Sequence, residues 1–197
     1  GSLGVGVKNV VETEHELETQ LSKMFEGYRG WNLSSDGIVA ESFVEGPEYT
    51  VMIVGSHTHP EYAKIYPPVE RVFHASLPEK EKFLSFDRLW EIYEEETPMP
   101  EDENFYQYQL GDESIQMAVQ KVSWDAYVAC NGTGYTRVDV RIDNKTGEAY
   151  VLEVNAQCGI SEDENFTSIG AILKYTNQTF TELVIHIIND AFARRKN

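Results

Sequence analysis

The chain has 197 residues, 41% of them hydrophobic, enough for one large domain or two small ones with a real core and unlike a disordered composition. Its 33 acidic against 16 basic residues leave a formal charge of -17, which argues against a nucleic-acid binder, whose footprint is a basic surface, and against anionic membranes. Cys130 and Cys158 are too few for a disulfide framework and point to a reducing, cytoplasmic compartment, and no apolar run reaches the roughly 18 residues of a membrane span.

In chain order, residues 1–8 form a glycine-rich loop, Gly1-Ser2-Leu3-Gly4-Val5-Gly6-Val7-Lys8. Gly1-Ser2 reads either as the scar of an expression tag or as part of that loop, and the chain reads as a fragment. Val10-Val11 is expected to be a strand remnant. Thr13 and Glu16 have the spacing of a capping box, and Leu17, Leu21, Met24 and Phe25 follow at helical spacing until Gly27 and Gly30. Residues 37–44 and 49–54 are expected strands around a turn at Glu45-Gly46-Pro47.

Residues 55–114 carry six prolines and an acidic run over 91–103, and are expected to be the least regular part. A helix is expected over 114–130, with Ile115, Ala118, Val119 and Val122 on one face. Two strands follow at about 136–142 and 149–155, joined by Asn144-Lys145-Thr146-Gly147. A polar loop spans 157–165. Thr179 or Thr181 caps a last helix carrying Leu183, Val184, Ile187 and Ile188. The order mixes α and β without regular βαβ alternation, which favours an α+β arrangement.

Chemistry concentrates on the late strand pair. Alternate residues of a strand share a face, so Arg137 shares one with Asp139, and Glu153 shares one with Asn155. Pairing across the short turn brings Asp139 near Glu153, and two carboxylates in contact repel unless a cation or proton lies between them. Three oxygen ligands and a guanidinium at one end of a sheet suit a hard cation such as Mg2+ together with substrate phosphates. The bland alternative is a hairpin with solvent-facing polar residues. His57, His59 and Glu61 are more simply an exposed loop than a zinc site. Cys158, beside the candidate metal site, has no nearby base to activate it.

Arg137-x-Asp139, with Tyr150-Val151-Leu152-Glu153-Val154-Asn155 and Gly159, resembles the metal end of the ATP-grasp ligases, and of the D-alanine–D-alanine ligases in particular. Residues Glu41 to Thr50 resemble that family's adenine hinge, and Gly1 to Gly6 its phosphate-covering loop. These stretches occur in the family's order. The resemblance implies an ATP-grasp fold of two α+β subdomains clasping a nucleotide. Residues 1–42 would be part of the central subdomain and 43–197 the C-terminal one, with the N-terminal domain missing. Glu41 and the Val44 backbone would meet adenine, Phe43 would line its pocket, and Glu48 would accept from the ribose. Ser2, Leu3 and Gly4 would cover the phosphates. Asp139, Glu153 and Asn155 would hold two Mg2+ ions, or Mn2+, with Glu153 bridging. Arg137 would face the reacting acyl centre as a catalytic group, beside Ser2. Gly159, Thr167 and Ser168 would lie where the second substrate's carboxylate binds.

The implied reaction joins a carboxylate to an amine through an acyl phosphate, with ATP and small amino-acid-like molecules as substrates and a homodimer as assembly. Two departures count against it. The family's phosphate-binding lysine, on a strand just before the glycine-rich loop, would fall ahead of residue 1, and Leu89 stands where a second one is usual, with Arg88 or Lys82 as substitutes. The competing expectations are a Mg-ATP-binding module without catalysis and an unrelated acidic interaction domain.

Overall fold

A computed structural model describes residues 5–27, 32, 34–85, 88, 96–100, 103–165 and 167–195. The chain divides into two compact units, Gly1–Phe43 with Phe73–Asn104, and Val44–Val72 with Phe105–Asn197. No helix among the described residues is long and apolar enough to cross a membrane.

In the first unit, a short 3-10 turn, Val7–Asn9, leads to helix α1, Glu14–Glu26. The capping box closes as the spacing requires: Glu16 N donates to Thr13 Oγ1 at 3.2 Å and Thr13 N to Glu16 Oε2 at 3.1 Å. Gly27, at φ 89°, ends the helix. Val10 and Val11 belong to no strand among the described residues, and residues 37–45 form none either. A β-prone segment becomes a strand only where a neighbour completes its ladder, and among the described residues none pairs with 37–45. Val39 is accordingly 82% exposed.

The second unit is built on a sheet of six strands: β1 Glu48–Ser56, β2 His59–Ile65, β3 Val69–Phe73, β4 Tyr106–Leu110, β5 Thr133–Ile142 and β6 Ala149–Ala156. The order is β4-β3-β1-β5-β6, with β2 also on β1. β2 and β3 share one edge of β1, antiparallel to it, and β5 takes the other. Three strands thus fall in the stretch expected to be irregular. They are hard to read because β2 begins His-Pro and is largely exposed, Pro67-Pro68 interrupts the edge, and β4 alternates Tyr with Gln.

β1 is buried along its whole length, so both its faces build core. Tyr49, Val51 and Ile53 pack with Val119 and Tyr127 of helix α2, Glu113–Ala129. Met52 and Val54 pack with Ile169, Ile172 and Leu183 of helices α3, Ser168–Tyr175, and α4, Phe180–Arg195. Helix α3 was not expected: Ser168 to Leu173 are all buried, and its 8 residues are too few for a periodic pattern to stand out in the sequence. Thr179 caps α4, accepting from Glu182 N at 3.2 Å.

Before β1 the chain must turn tightly. At Gly46, φ 152°, a Cβ would lie 1.9 Å from Ile142 O, so only glycine lets this turn lie against the end of β5.

Candidate functional site

Register places the charged residues. β5 sets Arg141 opposite Glu48, Asp139 opposite Thr50 and Arg137 opposite Met52 on β1. Its other edge sets Arg137 opposite Asn155 and Asp139 opposite Glu153 on β6. A bulge follows at once, because Val140 pairs with Val151 and Leu152 is the extra residue. That residue shifts the phase of β6. Val151 and Val154 both pack on the α2 core, while Glu153 and Asn155 stand on the face of Arg137 and Asp139.

Asp139 is the centre of this group and only 6% exposed. Its Oδ1 accepts from Thr50 Oγ1 at 2.8 Å. Its Oδ2 accepts from Arg137 Nε at 3.1 Å and Nη2 at 2.9 Å, and from Asn155 Nδ2 at 3.3 Å. Glu153, at the exposed rim, places Oε1 3.5 Å from Arg137 Nη2. The four residues singled out from the sequence therefore converge. Burial works against the Arg137 charge, but the Asp139 carboxylate outweighs it and holds the guanidinium above its usual range.

The donor chemistry fits a hard cation. Two carboxylates and an amide meet at one strand-pair end, and a positive group already lies on Asp139 Oδ2. No group of three or more His, Cys, Asp or Glu side chains among the described residues is arranged to hold a metal ion. The third protein ligand would therefore be the amide of Asn155, turned to present its oxygen, with substrate phosphates completing the set. His57 is instead hydrogen bonded to Gly132 O at 3.0 Å, and His59 lies 3.6 Å from Glu61. The Cys158 thiol is buried, which pushes its pKa up; Arg137 opposes that shift and Asp139 adds to it.

Glu48 has a second and different environment. It is 4% exposed, between Arg71 of β3 and Arg141 of β5. Oε1 bonds the Arg71 guanidinium and Oε2 accepts from Arg141 Nη2 at 3.0 Å. Arg141 Nη1 also donates to Val44 O at 2.9 Å. Arg71 lies over the rings of Tyr106 and Tyr108, 5.5 and 5.6 Å from their centroids, and donates to Tyr108 Oη at 3.3 Å. Burial opposes its charge, yet Glu48 drives its pKa well above the ordinary value. The carboxylate expected to meet a ribose is thus enclosed by two arginines.

Among the remaining candidates, Thr167 Oγ1 caps α3, accepting from Gly170 N at 3.1 Å and donating to Asp163 O at 2.6 Å. Ser168 is 5% exposed, while Gly159 is exposed, with open space where a Cβ would project. In the first unit, Glu41 is exposed in the irregular segment and Phe43 meets Phe83 edge to face, centroids 6.2 Å apart. Arg88 is 3% exposed and donates to Glu81 Oε2 at 3.1 Å and to Thr97 O at 3.3 Å; Lys82 bonds Glu79. Ser2, Leu3, Gly4 and Leu89 lie outside the described residues.

Sequence reading missed Thr50, Arg71, Arg141 and Tyr108. The signal for two of them was present: Glu48 and Thr50 interrupt an apolar strand at a spacing of two, and Arg141 extends the alternation of Arg137 and Asp139 by one step.

The chain is similar to known proteins along most of its length. The D-alanine--D-alanine ligase of Beijerinckia indica subsp. indica is 38% identical over 85 residues, 42% of this chain and 27% of that protein. That of Marinomonas sp. is 27% identical over 156 residues, 79% of this chain and 42% of that protein. The crystal structure of the Bacillus anthracis D-alanine--D-alanine ligase complexed with ATP matches with a TM-score of 0.62 at 20% identity, covering 94% of this chain and 49% of that one. The chain spans less than half the length of the curated relatives it matches. The α+β, ATP-grasp fold expected from the sequence agrees with that structural likeness. Residues 1–189 match the family described as D-ala D-ala ligase C-terminus, and the chain belongs to that family.

Proposed function

We propose that the chain is the ATP- and Mg2+-binding part of a carboxylate–amine ligase acting through an acyl phosphate. The observation that carries this reading is the convergence of Arg137, Asp139, Glu153 and Asn155 at the rim of one sheet. The ATP bound to the Bacillus anthracis ligase supports the choice of nucleotide. Asp139, Glu153 and Asn155 would hold Mg2+, with Mn2+ as a substitute. When bound, the metal neutralises charge building between the β- and γ-phosphoryl oxygens. Arg137 would donate to the oxyanion formed when the amine attacks the acyl carbonyl, and removing such a donor costs about 3–4 kcal/mol of barrier lowering. Thr167, Ser168 and Gly159 border the segment where the second, amino-acid-like substrate would lie. Phosphate release from ATP by the intact protein, with panels of small acids and amines, tests the reading. Release should need both substrates and a divalent ion, and should collapse in Glu153→Gln. Release that ignores the substrates, or survives in that variant, would overturn it.

A second reading, a Mg-ATP-binding module without catalysis, rests on one observation: Leu89 stands where the family's second ATP-binding lysine is usual. It predicts calorimetric Mg-ATP binding that depends on Asp139, with no phosphate release under any substrate pair.

A further inference from the structure

We propose that Thr50 is a positioning residue that fixes which oxygen of Asp139 is offered to the cation; the inference rests on the metal site proposed above. Thr50 is 1% exposed near the start of β1, on the face where Met52 and Val54 build apolar core. A buried hydroxyl needs a partner there, and its partner is Asp139 Oδ1 at 2.8 Å. The two residues are direct cross-strand neighbours, so the hydroxyl reaches Oδ1 without any flexible linker. The carboxylate is thereby divided. Oδ1 is tied into the sheet, and Oδ2 is turned toward Arg137 and Asn155, the side on which Glu153 lies. Without the hydroxyl, nothing on β1 would hold the carboxylate plane, and either oxygen could swing toward the arginine.

Outer groups that orient metal ligands are worth about 10- to 100-fold in metal affinity. The test is Mn2+ binding in the presence of ATP, followed by electron paramagnetic resonance on the intact protein. Wild type, Thr50→Val, Thr50→Ser and Asp139→Asn are compared, with circular dichroism and thermal unfolding on each. Thr50→Val should weaken Mn2+ by about 10- to 100-fold, whereas Thr50→Ser, which keeps the hydroxyl but loses the methyl, should bind as wild type even where its unfolding temperature falls. A packing role would lower stability in Thr50→Ser, spare it in the isosteric Thr50→Val, and leave Mn2+ affinity unchanged in both. Wild-type affinity in Thr50→Val, or equal losses in Thr50→Val and Thr50→Ser, would overturn the proposal while loss in Asp139→Asn keeps the metal site. Wild-type affinity in Asp139→Asn as well would overturn both.

Discussion

Glu48 has two cations for one negative charge, and that imbalance decides what each substitution does. Glu48→Gln removes the carboxylate that the buried Arg71 and Arg141 share. Breaking a buried ion pair from one side costs about 3–5 kcal/mol, and here the residual contact is also repulsive. Arg141→Met should cost less, because Arg71 still neutralises Glu48. Urea unfolding of the two variants checks the ranking; equal losses would mean the triad does not act as a charge unit. Arg137 obeys the opposite arithmetic. Its Nη2 lies 2.9 Å from the Asp139 oxygen that a cation would use, so it competes with that cation. Unit charges about 4 Å apart interact by roughly 1 kcal/mol in water and more near a protein surface. Arg137→Met should therefore bind Mn2+ in the absence of nucleotide more tightly than wild type, by at least about fivefold, while losing ligation. Unchanged or weaker Mn2+ binding would show that the two cations do not share the Asp139 oxygen.

The loop from Gln157 to Asn165 depends on the first turn of α3. Thr167 accepts from Gly170 N and donates to Asp163 O, so one hydroxyl ties helix start to loop end. Gly170 makes the closeness possible, because a Cβ there would meet Asp163 O at 2.2 Å. Gly170→Ala should push the loop away at an overpacking cost of about 1–3 kcal/mol. It should also raise KM for the amine substrate more than KM for ATP. An unchanged KM ratio would detach this loop from the second substrate. These elements also show what sequence carries. The capping box of α1, helices α2 and α4, β1 and the β5–β6 pair all announce themselves by local period or cap, and each was legible. Helix α3 hides because its 8 residues are too few for a period to stand out, and β2 to β4 hide because cross-strand partners, not propensity, make them strands. The segment 37–44 errs the other way, having strand composition but no strand beside it among the described residues. At the site, the β-period brought Arg137 and Asp139 together on paper, as it did Glu153 and Asn155. The burial of Glu48 between Arg71 and Arg141 was not legible, since it depends on a β1–β3 pairing across an interrupted edge.

At the scale of the molecule, the net charge of -17 makes any further negative charge on the folded chain unfavourable. Tyr49, Tyr106 and Tyr127 resist acquiring it. Loss of water around the phenolate is the leading cause in each, and their pKa values are pushed up to about 12. In the unfolded chain the same phenols release protons near pH 10, about two units earlier. The folded state then holds more protons than the unfolded state, so stability falls as pH rises through that interval. The contribution of these tyrosines is complete below about pH 10 and lost by about pH 12. Urea midpoints should therefore stay level on this account from neutrality to about pH 10 and decline steeply above it. Tyr127→Phe separates the two roles of one such group. It removes the 3.0 Å hydrogen bond to Gly55 O, costing about 1 kcal/mol at neutral pH, and it takes one phenol out of the alkaline decline. The variant should thus start less stable than wild type and lose stability more slowly above pH 10; parallel declines would show that Tyr127 ionises alike in the folded and unfolded chain.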